Sequence, residues 1–481
     1  MKLNKITLIL LLAVSFSACK KELAIEPEQS ISDQAVFTDR AGAESALLGV
    51  YSTAQVIDVF GSIPQIIGDF QSDNVEFVGS FPTFQEISQF TTISTNANIS
   101  LIWQNHYRVI LRANSIIDRV PGINVTGFSD AQKKQFVAEA KFMRAFMYFQ
   151  LVNMFAQPFN CNNGNNPGVP LVLAEFTGNV EFPARSTVAQ VHAQIKKDLD
   201  EALVDLPTTH ANNTDTRGRA TKGAARGLLS RFHLYRGEWQ LASDFANAVI
   251  TATPTYALAP NYQFYDALSA EDIFVSIMTV TDNSRTGTGG WASFHRPAAA
   301  GGRGDAPFSA SLLAAYNEEA GDRRLSQLSD MGVAADGISR RFTTKFPDAV
   351  NNKDDAPLIR VTEMYLNRAE ALAELNGVNQ VSIDLMNALR TRAGLPNWTL
   401  ATFATKQAFI NAILNERRKE LAFEGHRRMD LLRRGLALRT GTAAATSRPC
   451  DPTNSPKVLL PIPQREIDIN PALKGQQNPG Y

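Results

Sequence analysis

Residues 222 to 250 spell out a complete helical hairpin, and that hairpin limits what the rest of the chain can be. Lys222 to Arg236 keeps a helical period, Gly237 interrupts it, and Trp239 to Ile250 resumes it. On the second helix Trp239, Ala242, Ala246 and Val249 make a narrow stripe of mostly small residues, which suits a close crossing of two backbones. Helix, glycine turn, helix with alanines at the crossing resembles a tetratricopeptide unit. Such a unit buries its apolar face only by stacking on a neighbour, so the expected fold class is mainly α, built from helix pairs.

The remaining periodic stretches agree with this. Ala41 to Val56 is small and apolar. Trp103, Tyr107, Ile110, Leu111, Asn114 and Ile117 share one helix face, and Phe142, Ala145, Phe146, Phe149 and Val152 share another after a Ser129-Asp130 start signal. Further helices are expected over Thr187 to Leu206, Ile359 to Leu375, Val381 to Arg392 with a stop at Gly394, and Lys406 to Phe423 before Gly425. Strand character is confined to Ile273 to Val280 and Val458 to Ile462. Two segments, Gly61 to Ser100 and Thr281 to Ala306, show poor periodicity and read as long loops of the kind that carry function.

The N-terminus reads as an export signal. Lys2 and Lys5 precede a short apolar run from Ile6 to Val14, which is too short to span a bilayer. It ends in Ser15-Phe16-Ser17-Ala18-Cys19, the pattern of a bacterial lipoprotein site at which the Cys19 thiol is acylated. Residues 1–18 are therefore read as signal peptide and 19–35 as a lipidated tether. Cys161 and Cys450 sit in loop-like sequence of a chain bound for an oxidising compartment, where they either form a disulfide or stand as separate thiols.

Composition excludes several functions. The 481 residues carry 47 basic and 47 acidic side chains, so no net field favours nucleic acid or an anionic surface. No zinc-type His-Glu-x-x-His, paired Cys-x-x-Cys, Walker loop or Gly-x-Ser-x-Gly elbow is present, and the six histidines are scattered. Gly287-Thr288-Gly289-Gly290 reads as a flexible loop, and Arg303-Gly304-Asp305 as a chance tripeptide. Glu416, Glu420 and Glu424 recur on one helix face. That spacing suggests carboxylate chemistry, but the neighbouring Arg417, Arg428 and Asp430 favour a structural ion-pair lattice. No enzyme and no cofactor or metal is expected.

A set of ordered segments gives a family resemblance. It runs through Phe37-Thr38 with Ala41 to Tyr51, Trp103 to Asp118, Ala138 to Phe155, Pro167-Gly168-Val169-Pro170-Leu171 and Arg185-Ser186-Thr187-Val188. It continues through Pro357-Leu358-Ile359-Arg360, Ala369-Glu370-Ala371, Asn387 to Gly394, Glu416 to Leu431, Leu460-Pro461-Ile462-Pro463 and the closing Asn478-Pro479-Gly480-Tyr481. In this order, behind a lipoprotein signal, the chain resembles the SusD/RagB family of nutrient-capturing surface lipoproteins.

The resemblance implies a SusD-like fold: tetratricopeptide-like helix pairs as scaffold, irregular ligand-binding loops and a few short strands. It implies an N-terminal region over 36–265 and a C-terminal SusD/RagB region over 266–481, packed as one globule. It also implies attachment to the outer membrane at the cell surface and a role as lid on a SusC-like TonB-dependent barrel. The ligand would be a glycan such as starch or, in the RagB manner, a peptide. A tetratricopeptide scaffold for protein assembly at the membrane is the reading from another class.

A sugar site needs rings that stack on pyranose faces beside groups that bond hydroxyls. The two long loops offer Asp69, Asp73, Asn74, Phe81 and Phe84 in the first, and Trp291, Phe294, His295 and Arg296 in the second. Phe81 and Phe84 either face the ligand or pack beneath their own loop. Trp291, beside glycines, is expected to be exposed.

Overall fold

A computed structural model describes residues 36–265, 267–284, 289–439, 450 and 456–481. The signal peptide, Cys19 and the 19–35 tether lie outside the described residues. The helices that frame the molecule are α1 (Arg40–Gln55), α2 (Ile63–Phe70), α3 (Pro82–Ser88), α4 (Ala97–Arg119), α5 (Asp130–Phe155) and α6 (Val188–Asp205). They are followed by α7 (Lys222–Arg236), α8 (Trp239–Ile250), α9 (Trp291–His295), α10 (Val361–Asn376), α11 (Gln380–Ala393) and α12 (Lys406–Leu421). Among the described residues, four short strands, β1 (Asp272–Ser276), β2 (Ser329–Val333), β3 (Ser339–Thr343) and β4 (Ala356–Arg360), form two antiparallel pairs, β1 with β4 and β2 with β3.

Local chemistry sets the helix ends. Ser129 with Gln132 and Thr187 with Gln190 form reciprocal capping boxes at the starts of α5 and α6, satisfying donors that a helix start otherwise leaves unbonded. Gly237 takes the left-handed conformation that turns α7 into α8, as the sequence predicts. Ala242 and Ala246 are fully buried at that crossing, where the Ser230 hydroxyl donates to the Ala242 carbonyl at 2.9 Å. The side-chain amide of Asn367 on α10 donates in turn to the Ser230 hydroxyl at 3.1 Å, tying the next helix to the pair.

Packing then runs in sequence order. α1 lies on α4, α4 on α5, α5 on α6, α6 on α7, α7 on α8, and α8 on α10, which carries α11 and α12. The main apolar core runs from Ala43 to Leu473 and includes Phe60, Phe142, Phe146 and Phe274 edge to face or tilted, and a second cluster around Leu366, Met386 and Phe409 joins α10, α11 and α12.

Several expectations are corrected. Gly61 to Ser100 is no loop: α2, α3 and the start of α4 occupy much of it. Helix α2 keeps Ile63, Ile66, Ile67 and Phe70 at helical spacing, but it is only eight residues long and carries Pro64 in its first turn, too short a run to stand out as periodic. Ile359 belongs to strand β4, and its helix begins at Val361. The helix expected to reach Phe423 ends at Leu421, and Phe423 has a positive φ. Val458 to Ile462 forms no strand. Its apolar run is buried because it crosses the end of α5, with the Leu460 amide donating to the Met154 carbonyl. The β2–β3 hairpin escaped sequence reading because Met331 and Val333 are exposed, reversing the usual apolar-in pattern. Cys161 and Cys450 are joined in a disulfide, which settles the alternative left open above.

The glutamate ladder is the centre of a buried ionic lattice whose partners come from farther along the chain than the neighbouring residues suggested. Glu416 meets Arg324 at 2.8 Å, Lys419 at 2.8 Å and Arg390 at 3.2 Å. Glu420 meets Arg392 at 2.7 Å and lies 3.5 to 3.6 Å from Arg324 and Arg360. Glu424 takes Arg360 and Lys345, each at 2.7 Å. Arg417 instead pairs with Asp430, and Arg428 donates to Gln71 and to backbone carbonyls.

Burial alone would raise the carboxyls of Glu420 and Glu370, but adjacent arginines, Arg392 and Arg360 for the first and Arg433 and Arg434 for the second, hold both down to about 2. The unfolded chain takes up these protons near the ordinary 4.5 and the folded chain only near 2, so the stabilisation is whole above 4.5 and is lost as pH falls towards 2. Between 6.5 and 4 the buried His106 and His295, pushed down to about 4 by desolvation, lose stability on acidification. Asp69 and Asp272, pushed up to about 7 by burial, gain it there. We therefore expect a melting temperature that changes little from pH 7 to 5 and drops steeply below 4.5, followed by circular dichroism. Undiminished stability at pH 3 would contradict the lattice.

Candidate ligand-binding site

The two segments read as loops meet in space. The Val75 and Phe308 backbones form an antiparallel bridge, the Glu76 amide donates to Pro307, and the Val78 amide donates to Asp305 at 2.9 Å. This short ladder delivers Phe81 to the surface, where its ring is 49% exposed. The Arg303 guanidinium lies 4.0 Å from the Phe81 ring centre and 4.8 Å from that of Phe294, sandwiched between the exposed ring and the buried one. Below, Phe84 and Phe294 are edge to face at 5.0 Å, with Phe70 behind both.

Asp305 fixes the cation from the other side, accepting from Arg303 Nε at 2.6 Å. Burial pushes its carboxyl up, and the Arg303 charge opposes that shift. Position 79 has to be glycine for this geometry, since a Cβ there would stand 2.6 Å from the Asp305 carboxyl carbon. Gly304, at φ +71°, turns the chain between the arginine and the acid. The arrangement therefore presents a half-exposed ring with a fixed cation under it.

Of the residues put forward from the sequence, Phe81, Phe84 and Phe294 are brought together here. Trp291 is not exposed: at 3% accessibility it packs 4.6 Å from Phe346 and donates its indole N–H to the Phe60 carbonyl. The glycines beside it do not loosen it, because α9 seats 291–295 in the core. His295 is fully buried against Phe423. Arg296 makes a paired ion bond to Asp330, at 3.0 and 3.1 Å, and also donates to the Thr343 carbonyl.

In the first segment Asp69 is buried. Asn74 is buried as well and accepts from Arg418 at 2.9 Å. Asp73 is clasped by Arg427 at 2.6 and 2.8 Å, and against the upward pull of burial Arg427 and Arg418 hold its carboxyl low. Both Asp73 oxygens are thus spent on Arg427, and Asp69 and Asn74 are closed off by burial. Arg303 and Asp305 were missed, although an arginine and an acid flanking a glycine are the signal a turn of this kind leaves. Among the described residues no group of three or more His, Cys, Asp and Glu is placed to hold a metal ion.

Stacked helix pairs supporting an aromatic and charged loop junction define a helical binding protein. The chain belongs to the SusD/RagB family. Residues 338–481 match the SusD family profile, and residues 39–234 match the profile described as starch-binding associating with outer membrane. The family is one of non-catalytic binding proteins, and this chain is no enzyme. A SusD-like protein of Formosa agariphila is 26% identical, with both chains covered in full. Among solved structures, a SusD superfamily protein of Bacteroides thetaiotaomicron is 26% identical over 91% of this chain and 99% of its own, at a TM-score of 0.78. A protein of Bacteroides vulgatus titled a putative sugar binding protein is 26% identical over 92% and 98%, at 0.77. A laminarin binding SusD-like protein shares the fold at 24% identity and a TM-score of 0.71, over 92% of this chain and 100% of its own.

Proposed function

We propose that this chain is a lipid-anchored surface protein that captures glycans and hands them to a SusC-like TonB-dependent barrel, on which it sits as a lid. The observation that carries the binding half is the Phe81 ring, exposed above Arg303 and Asp305 where two loops join. Pyranose faces stack on such rings while their hydroxyls take hydrogen bonds from neighbouring polar groups. The putative sugar binding protein of Bacteroides vulgatus and the starch-binding profile support the choice of a glycan. Acylation of Cys19 supplies the anchor, at roughly 0.8 kcal/mol per buried methylene, and the helix stack offers the broad face a barrel partner needs.

The delivery half is tested by mild extraction of outer membranes and affinity recovery of the native chain. A large β-barrel is expected to come with it. Repeated recovery without one would refute the partnership.

A further inference from the structure

Two tyrosines close one side of the ionic lattice, and the same two residues line a recess of about 640 Å³ at the surface. The Tyr265 hydroxyl donates to Glu424 at 2.7 Å and the Tyr262 hydroxyl to Glu420 at 3.4 Å. Arg392 lies 4.9 Å from the Tyr262 ring centre and Lys345 lies 5.3 Å from that of Tyr265, so each ring is held by a hydroxyl bond and a cation together. The segment is pinned at its start as well. There the Ala259 amide donates at 2.9 Å to Glu271, which itself pairs with Arg360. A loop anchored in this way has little freedom left to lose when something binds it.

Around this floor stand Asn261, Gln263, Gln327 and Thr344. The Asn261 side-chain oxygen accepts from the Gln263 backbone amide at 3.0 Å, which leaves its NH2 group without a partner among the described residues. The Gln263 and Gln327 side chains are exposed and bond no other described residue. Carboxamides donate and accept at once, as sugar hydroxyls do. Among the described residues that line the recess none carries a formal charge. A charged ligand would find no counter-ion there, whereas a neutral polyhydroxyl one finds donors, acceptors and an apolar floor.

The β2–β3 hairpin relates this recess to the Phe81 junction. At its turn the Ala335 amide donates to Gly304, the residue between Arg303 and Asp305. At its base the Thr344 amide donates to Leu328, in the wall of the recess. Extended chain from Ile338, which accepts from the Ala334 amide, to Thr344 spans roughly 20 Å at about 3.4 Å per residue. The two places thus stand at opposite ends of one hairpin, a separation that a chain of several sugar units bridges and a single unit does not.

We propose that the recess walled by Tyr262, Tyr265, Asn261, Gln263, Gln327 and Thr344 is a second glycan-binding site, holding one stretch of a neutral polysaccharide while another stretch lies at the Phe81 junction. This rests on the glycan reading given above and adds that the captured ligand is a polymer. Each site alone needs only weak affinity, because binding at one keeps the polymer at high local concentration near the other.

The test is calorimetric titration of the unacylated mature chain with soluble starch, with laminarin, and with the trisaccharides cut from each. Gln263→Ala combined with Gln327→Ala removes two exposed amides and should leave the melting temperature where it was. At least one polysaccharide is expected to bind the parent, and to bind this variant roughly tenfold or more weakly, with trisaccharide affinity kept within about twofold. In a Phe81→Ala chain the remaining polysaccharide binding should vanish when both amides are also removed. Polysaccharide affinity unchanged by the double substitution overturns the second site while the Phe81 site stands. An equal loss for trisaccharide and polymer would mean one site instead of two and overturns it as well. If the parent binds neither polysaccharide, the neutral-glycan reading itself is contradicted, and the second site falls with it.

Discussion

Glu420→Leu is expected to remove about 3–5 kcal/mol from the free energy of unfolding, the usual loss when one member of a buried ionic network is deleted. Glu420 stands among Arg392, Arg360 and Arg324, all of them buried; Arg324 keeps Glu416 and Arg360 keeps Glu424, while Arg392 is left with Glu271 at 3.4 Å. Leucine fills the volume and leaves three guanidinium groups short of negative charge. Urea unfolding followed by far-ultraviolet circular dichroism measures the loss. A variant within about 0.5 kcal/mol of the parent, the range of ordinary surface substitutions, would mean that the lattice contributes little.

Opening the Cys161–Cys450 disulfide should have an effect of similar size. The bond closes a loop with a sequence separation of 289, and the chain-entropy treatment gives about 5 kcal/mol for a loop of that length. Cys161→Ser with Cys450→Ser is expected to approach that loss. Thiol reductant should reproduce it in the parent and do nothing further to the double variant. Equal stability of parent and double variant would show that the unfolded ensemble gains no freedom from the break.

The helices were legible because their faces alternate. Ser129, Thr187, Gly237 and Gly394 mark ends that the structure keeps, and the 222–250 hairpin needed only its spacing. Helix α2 was hidden because it is only eight residues long with Pro64 in its first turn, although Ile63, Ile66, Ile67 and Phe70 share one face. Ionic partners were hidden for a different reason: Arg324, Arg360 and Arg392 reach the glutamates from sequence distances no local spacing encodes.

The ligand site was half legible. Two aromatic loops could be named, yet which rings face water depends on how the loops pair. The Val78 to Asp305 hydrogen bond lifts Phe81 outward, while α9 draws Trp291 inward. Arg303 and Asp305 looked like a chance tripeptide until Phe81 and Gly79 were beside them.

The most direct measurement is calorimetric titration of the pure, unacylated chain against a broad panel of polysaccharides, with Phe81→Ala alongside. We expect at least one glycan to bind without release of new reducing ends. We also expect Phe81→Ala to weaken that binding by about 1–3 kcal/mol, taking aromatic stacking of nucleic-acid bases as the nearest measured analogue, while the melting temperature stays nearly unchanged. No binding across the panel, or affinity untouched by the substitution, would contradict a glycan site at the Phe81 junction.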